Sequence, residues 1–207
     1  MKPKFIIFDL GGVIIDIDFD RTYQAFAKLT GKTREELAKA TFLTKAYEKY
    51  ESGLISDHEF RSEIRNRMNI DCSDQEIDDA WNALLLDFNN AAIAEIQKLK
   101  GKTPVYLLSN TNRIHFEYCN QKIKDYTLTD NFHSLFDGLF LSYEMGYRKP
   151  SDEIYNQVVE QLGCQPNEIL FIDDMEVNIE AANRIGFQTI HLVDNTKIGE
   201  ELKRRLQ

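Results

Sequence analysis

The chain has 207 residues, enough for one large domain, or a core with an insertion, to bury a hydrophobic interior without disulfide staples. Hydrophobic residues make up 43% and charged residues 29%, which excludes a disordered or collagen-like chain. With 25 cations against 34 carboxylates the net charge is −9, and no long basic run offsets it, so nucleic acid and anionic membranes are excluded as partners.

Lys2 and Lys4 precede an apolar run that Asp9 ends far short of a signal-peptide core or a membrane span, so a cytoplasmic location is expected. That run, Phe5 to Phe8, reads as a buried strand stopping at the tight turn Asp9-Leu10-Gly11-Gly12. Residues 17–88 carry helical signals and no strand-like run. They hold Asp20 to Leu29 before Gly31, then Thr33-Arg34-Glu35-Glu36, then Ser56 to Glu59 and Ser73 to Glu76, the last two being capping boxes. A helix from Ala91 to Lys100 before Gly101 leads to a strand from Val105 to Leu108, ended by Ser109-Asn110, and a weaker strand follows at Gly138 to Ser142. After Pro150 come a helix from Ser151 to Leu162, a strand from Ile169 to Ile172 ended by Asp173-Asp174, a helix from Glu176 to Ile185 before Gly186, and a strand from Thr189 to Val193. Near the end, Glu200-Glu201 and Lys203-Arg204-Arg205 read as a solvated helix face. Continuous apolar strands separated by helices signal a parallel sheet covered on both faces. The expected fold is therefore α/β: a Rossmann-like parallel-sheet core of residues 1–16 and 89–207, with an all-helical cap inserted at 17–88.

Cys72, Cys119 and Cys164 are odd in number and lack a CxxC spacing, and the four histidines lack ligand spacing, so neither a disulfide framework nor a zinc site is expected. The chemistry sits at the strand ends. In an open parallel sheet, ligands bind outside the carboxyl ends of the strands, and one fold brings Asp9, Ser109-Asn110 and Asp173-Asp174 to that edge. Arg148-Lys149-Pro150 lies on a loop just before a helix. Three carboxylates suit a hard divalent cation such as Mg2+, which together with Lys149 would neutralise a phosphoryl group. Ser109 and the amides after it can bind phosphate oxygens at a helix N-terminus, and a carboxylate left facing phosphorus can form an aspartyl-phosphate. Each segment alone is also an ordinary turn or N-cap sequence; their joint order and placement favour the site.

The set Phe8-Asp9-Leu10-Gly11-Gly12-Val13, Leu108-Ser109-Asn110-Thr111, Arg148-Lys149-Pro150 and Phe171-Ile172-Asp173-Asp174 with Asn178 resembles the four motifs of the haloacid dehalogenase (HAD) superfamily. The resemblance covers nearly the whole chain and is greatest to the bacterial alpha-D-glucose-1-phosphate phosphatases. It implies a Mg2+-dependent phosphatase acting on a small phosphate ester, such as a sugar 1-phosphate, with Asp9 as nucleophile and metal ligand. It further implies the Gly11 carbonyl and Asp174 as metal ligands, Asp173 as a further or supporting ligand, Ser109 and Asn110 as phosphate or substrate contacts, and Lys149 as the bridge between nucleophile and phosphate. A monomer or weak homodimer is expected.

One position departs from the pattern. Most phosphatases of this superfamily carry an Asp two residues after the nucleophile as general acid and base; here that residue is Gly11, as it is in the glucose-1-phosphate phosphatases. Such a group typically contributes about 10² to 10⁴ in rate. Its loss favours substrates whose leaving group needs little protonation, with Asp16, Asp18 or a water as substitute. Two rival readings are a metal-independent 2-haloacid dehalogenase, which adjacent carboxylates beside Asp9 argue against, and a phosphate-binding regulatory protein, which the retained Asp9 argues against. Tyr47, Tyr50, Trp81 and Phe42 of the cap, with Arg113 and Arg148, are residues that could meet substrate; for the aromatics, the hydrophobic core is the ordinary place.

Overall fold

The computed structural model describes residues 2–39 and 42–206. Its centre is a five-stranded, all-parallel sheet. In chain order the elements are β1 (Phe5–Phe8), β2 (Ile15–Ile17), α1 (Phe19–Thr30), α2 (Arg34–Lys39), α3 (Phe42–Glu51), α4 (Asp57–Met68), α5 (Asp74–Asn82), β3 (Leu85–Phe88), α6 (Asn90–Leu99) and β4 (Val105–Ser109). There follow α7 (Arg113–Lys122), α8 (Phe132–Leu135), β5 (Gly138–Leu141), α9 (Ser142–Met145), α10 (Asp152–Leu162), β6 (Ile169–Asp173), α11 (Glu176–Ile185), β7 (Gln188–His191) and α12 (Ile198–Leu206). The strand order β5-β4-β1-β6-β7 puts β1 in the middle, with β4 and β6 on either side. The chain reverses its direction of winding at β1, so the crevice at the strand ends opens beside Asp9.

Both faces of the sheet are covered, as its unbroken apolar strands demand. The two-residue period of the strand sorts the side chains. Ile6, Phe8, Leu107, Leu170 and Ile172 join one buried cluster, while Ile7, Leu108, Ile169 and Phe171 join the other with Ile154, Tyr155 and Val158 of α10. Glycines after α1, α10 and α11 stop those helices in the left-handed conformation, at Gly31, Gly163 and Gly186. No described helix is long and apolar enough to cross a membrane.

The inserted segment builds a hydrophobic centre of its own around Phe26, Leu37, Tyr50, Phe60, Ile64 and Trp81, with Tyr50 and Phe60 stacked at 4.2 Å. Both expected capping boxes are present, at Ser56 with Glu59 and at Ser73 with Glu76, so α4 and α5 begin where their sequence says.

The expectation of no strand within residues 17–88 is corrected at its end. Leu85–Phe88 forms β3 and pairs antiparallel with β2, Ile15 opposite Phe88 and Ile17 opposite Leu85. A run as short as Leu84-Leu85-Leu86 following a helix has no period of its own to reveal a strand; only the partner Ile15-Asp16-Ile17, distant in sequence, selects it. β7 begins at Gln188 and ends at His191, two residues before the expected Val193.

Candidate active site

Asp9 follows β1 directly and is buried. Its Oδ1 accepts from the Leu10 backbone N–H at 2.7 Å and lies 2.8 Å from Lys149 Nζ. Both contacts fall on one oxygen, which leaves Oδ2 without a hydrogen bond among the described residues. Lys149 is almost completely buried and reaches Asp173 Oδ2 at 2.6 Å as well. Asp173, at the last position of β6, has no exposed surface. Its two oxygens also accept from the Met175 N–H at 2.8 Å and from Asn178 Nδ2 at 3.0 Å. A buried carboxylate with this many donors is fixed in place, and it fixes the lysine in turn.

Asp174 is half-buried beside the turn after β1. At Gly12 a β-carbon would lie 2.4 Å from Asp174 Oδ2, and the backbone there has φ +72°, so glycine is required twice over. Asp9, Asp173 and Asp174 each place an oxygen within 4.8 Å of the others. Asp9 and Asp173 thus share one lysine, with Asp174 as a third carboxylate beside them. Burial pushes the Asp9 carboxyl up to about 8; Lys149 opposes the shift, and the charges of Asp173 and Asp174 add to it. Burial, with the neighbouring charge of Asp173, also raises Asp174. Lys149 is raised too: burial alone would lower it, but Asp173 and Asp9 outweigh that effect and keep it charged. Excess negative charge in an all-oxygen cluster fits a hard cation such as Mg2+.

Ser109 ends β4 and is buried. Asn110 lines the cavity above the carboxylates, yet its side-chain amide clasps the lysine loop: Nδ2 donates to the Lys149 carbonyl at 2.8 Å, and Oδ1 accepts the Lys149 N–H at 2.7 Å. Asn110 therefore holds the backbone that carries Lys149. The following residue, Thr111, is locked by its N–H donating to Ser142 Oγ at 2.9 Å.

The cavity over these strand ends has a volume of about 620 Å³ and is walled by both core and cap. The family model for haloacid dehalogenase-like hydrolases matches residues 3–186, which contain the three strand-end segments and the Arg148-Lys149-Pro150 loop. The chain belongs to the haloacid dehalogenase-like hydrolases. Within this HAD family it is 31% identical over 200 residues to a D-ribitol-5-phosphate phosphatase of Bacteroides thetaiotaomicron, covering 96% of each chain. It is 25% identical to a sesquiterpene phosphatase of Aspergillus oryzae, over 97% of this chain and 95% of that one. A crystal structure of a HAD family enzyme from Bacteroides thetaiotaomicron, in complex with magnesium and inorganic phosphate, superposes with a TM-score of 0.84 at 37% identity, covering 91% of this chain and 93% of that one.

In this HAD chain the positions considered for the absent acid lie away from the cavity. Asp16 accepts from Asn195 Nδ2 at 2.7 Å, and Asp18 caps α1 by accepting from the Asp20 N–H at 3.0 Å. A β-carbon at Gly11 would lie 2.4 Å from Ile17 Cδ1, so β2 occupies the space that a side chain there would enter. Of the aromatics, Tyr50 is buried in the cap, whereas Tyr47 and Trp81 line the cavity; the Phe42 side chain lies outside the described residues. Arg148 lines the cavity too, and Arg113 packs over the Tyr143 ring instead. Sequence reasoning missed Glu51. Glu51, 1% exposed, accepts from Arg148 Nε at 2.7 Å and so ties the cap to the lysine loop. A buried glutamate at the end of an amphipathic helix carries no local signal that its partner lies on the other domain.

Proposed function

We propose that this chain is a Mg2+-dependent phosphatase that hydrolyses a small sugar or sugar-alcohol phosphate through Asp9. The observation that carries the reading is the cluster of three carboxylates, two of them paired with one buried lysine, at a cavity of metabolite size. The relatives support it, being phosphatases across nearly the whole length of the chain.

Asp9, Asp174 and the Gly11 carbonyl would hold the Mg2+, with Asp173 as a further or supporting ligand. The bound cation offsets the charge of the carboxylates and of the phosphate oxygens. Asp9 Oδ2 then attacks phosphorus; the bond from phosphorus to the ester oxygen breaks, and an aspartyl-phosphate forms. Lys149 holds Asp9 from the Oδ1 side and places positive charge beside the transferring group. Ser109 and the Asn110 backbone N–H bind phosphate oxygens, and the Asn110 side chain keeps Lys149 in register. Water hydrolyses the aspartyl-phosphate, releasing inorganic phosphate and freeing Asp9.

Because Gly11 offers no proton to the leaving oxygen, esters with good leaving groups, such as sugar 1-phosphates, are favoured. A screen of phosphorylated sugars and sugar alcohols, with Mg2+ and then with a chelator, tests the whole reading. Phosphate release should require Mg2+ and fall by several orders of magnitude in Asp9→Asn. Equal efficiency on sugar 1-phosphates and 6-phosphates would remove the leaving-group argument. Chelator-insensitive chloride release from a haloacid would replace the phosphatase with a dehalogenase.

A further inference from the structure

We infer that Phe19, Met175 and Val177 form a subsite for a hydrocarbon portion of the leaving group, so that the protein takes amphiphilic phosphate monoesters as a substrate class beside the sugar and sugar-alcohol phosphates. The inference rests on the phosphatase reading above and adds a class of substrate to it. The described residues expose eight large hydrophobic side chains, and these three, at 58%, 52% and 51%, are the ones that line the cavity. They come from two separate parts of the chain. Phe19 opens α1 and stands between Asp18 and Asp20, whereas Met175 and Val177 lie at the start of α11 with Glu176 between them. None of those three carboxylates lines the cavity. In both segments the apolar side chain is the one at the cavity, and its charged neighbours lie elsewhere.

The backbone that carries this rim is tied to the reacting centre. The Met175 N–H donates to Asp173 Oδ1 at 2.8 Å, and Asn178, the residue after Val177, donates to both Asp173 oxygens at 3.0 Å. Phe19 follows β2, where Ile17 meets Gly11, while Gly12 abuts Asp174. An ester whose phosphorus sits at Asp9 has its leaving group in the cavity that these side chains border. Single exposed hydrophobic residues need no explanation, but three around one cavity mark apolar surface that a ligand covers. A polyol gains little from such surface. A hydrocarbon chain or ring gains in proportion to the area it takes out of water, and ligand sites are apolar for that reason. Continuity with the catalytic cavity selects the leaving group as the occupant. The reaction is unchanged: Asp9 Oδ2 bonds to phosphorus as the ester P–O bond breaks, the leaving oxygen keeps the electron pair and takes a proton from water, and a second water cleaves the aspartyl-phosphate.

The probes are phenyl phosphate and its 4-ethyl and 4-butyl derivatives, assayed by phosphate release with Mg2+. An alkyl chain at that position leaves the acidity of the phenol nearly constant, so only hydrophobic contact varies along the series. In the wild type kcat/KM should rise about twofold per added carbon, the effect of half-burying each one, and so roughly fifteenfold from phenyl to 4-butylphenyl. Phe19→Ser combined with Val177→Ser should cut the whole rise to within threefold. Both positions are exposed, so the double variant keeps its core. Leu128→Ser, which removes an exposed hydrophobic residue outside the cavity, should keep the wild-type rise. A flat wild-type series overturns the subsite, while phosphate release itself leaves the phosphatase reading standing. A double variant that keeps the wild-type rise overturns it too. So does a wild-type dimer in sedimentation that the double variant dissociates, which assigns the rim to a second copy of this chain. No release from any ester, sugar phosphates included, overturns the phosphatase reading and the inference with it.

Discussion

Asn110 and His115 show how single side chains act through their partners. The Asn110 amide makes both of its hydrogen bonds to the backbone of Lys149, so truncation frees the loop that aims the lysine. Asn110→Ala should lower kcat by about tenfold to a hundredfold, since displacements of an ångström at a reacting centre have effects of that size. Asn110→Asp, which keeps the acceptor for the Lys149 N–H, should recover part of it. His115 makes a separate prediction about stability. Its folded-state value of about 3 lies below the ordinary 6.5, so the unfolded chain binds the extra proton. The stability that this neutral ring contributes is fully present above pH 6.5 and is lost as pH falls from there towards 3. At pH 5 the loss is on the order of 2 kcal/mol. Urea unfolding at pH 7 and pH 5 would measure it, and His115→Phe should flatten that part of the dependence. The raised Asp9 carboxyl acts in the opposite direction over the same interval, so the comparison with the variant decides: a His115→Phe protein whose pH dependence equals that of the wild type contradicts a buried neutral histidine.

At the scale of elements, α3 and the loop before α10 meet through the pair of buried Glu51 and partly exposed Arg148, and Arg148 also covers the Tyr47 ring at 5.1 Å. This contact joins cap and core beside the lysine loop. Glu51 is buried but the Arg148 guanidinium keeps access to water, so Glu51→Ala loses a charge-assisted hydrogen bond and should destabilise the protein by about 2 kcal/mol in chemical denaturation. Glu51→Gln, whose amide oxygen still accepts from Arg148 Nε, should cost less. Equal and negligible effects of both would show that the pair holds nothing. The β2 and β3 pair is another tie between the two parts, and Ile17 within it fills the space beside Gly11. The absence of a side chain at position 11 is therefore matched by the packing of a strand. Gly11→Asp must displace Ile17, and a gain on esters with poor leaving groups should come with a lower thermal midpoint.

For the molecule as a whole, the net charge of −9 includes three carboxylates gathered within one cluster, two of them buried. Mg2+ binds the folded arrangement and not the unfolded chain, so it should stabilise the protein. At a hundredfold excess over Kd the gain is about 2.7 kcal/mol. For a chain of this size that corresponds to a thermal midpoint raised by roughly 5 to 10 °C. Asp174→Asn should blunt the shift, and a midpoint indifferent to Mg2+ would count against the cation site. The acidic balance of the chain is thus compatible with an anionic substrate, because the cation is part of the site that receives it.

The sequence by itself determined the parallel core, because apolar runs such as Phe5 to Phe8 and Ile169 to Ile172 have no stable place except a sheet covered on both faces. It also placed Asp9, Ser109, Asn110, Asp173 and Asp174 at one edge, since residues that follow parallel strands share the same end. Helix starts at Ser56 and Ser73 were legible for the same reason: their hydrogen bonds are local. What the tertiary structure decided are the contacts between residues far apart in the chain. The pairing of β2 with β3, the clasp of Asn110 on Lys149, the tie of Glu51 to Arg148 and the hydrogen bond of His115 with Asn82 each depend on a partner at least 30 positions away. Local propensity carries no record of such partners; they are selected only when the cap folds back over the strand ends and buries polar groups that must then find one another.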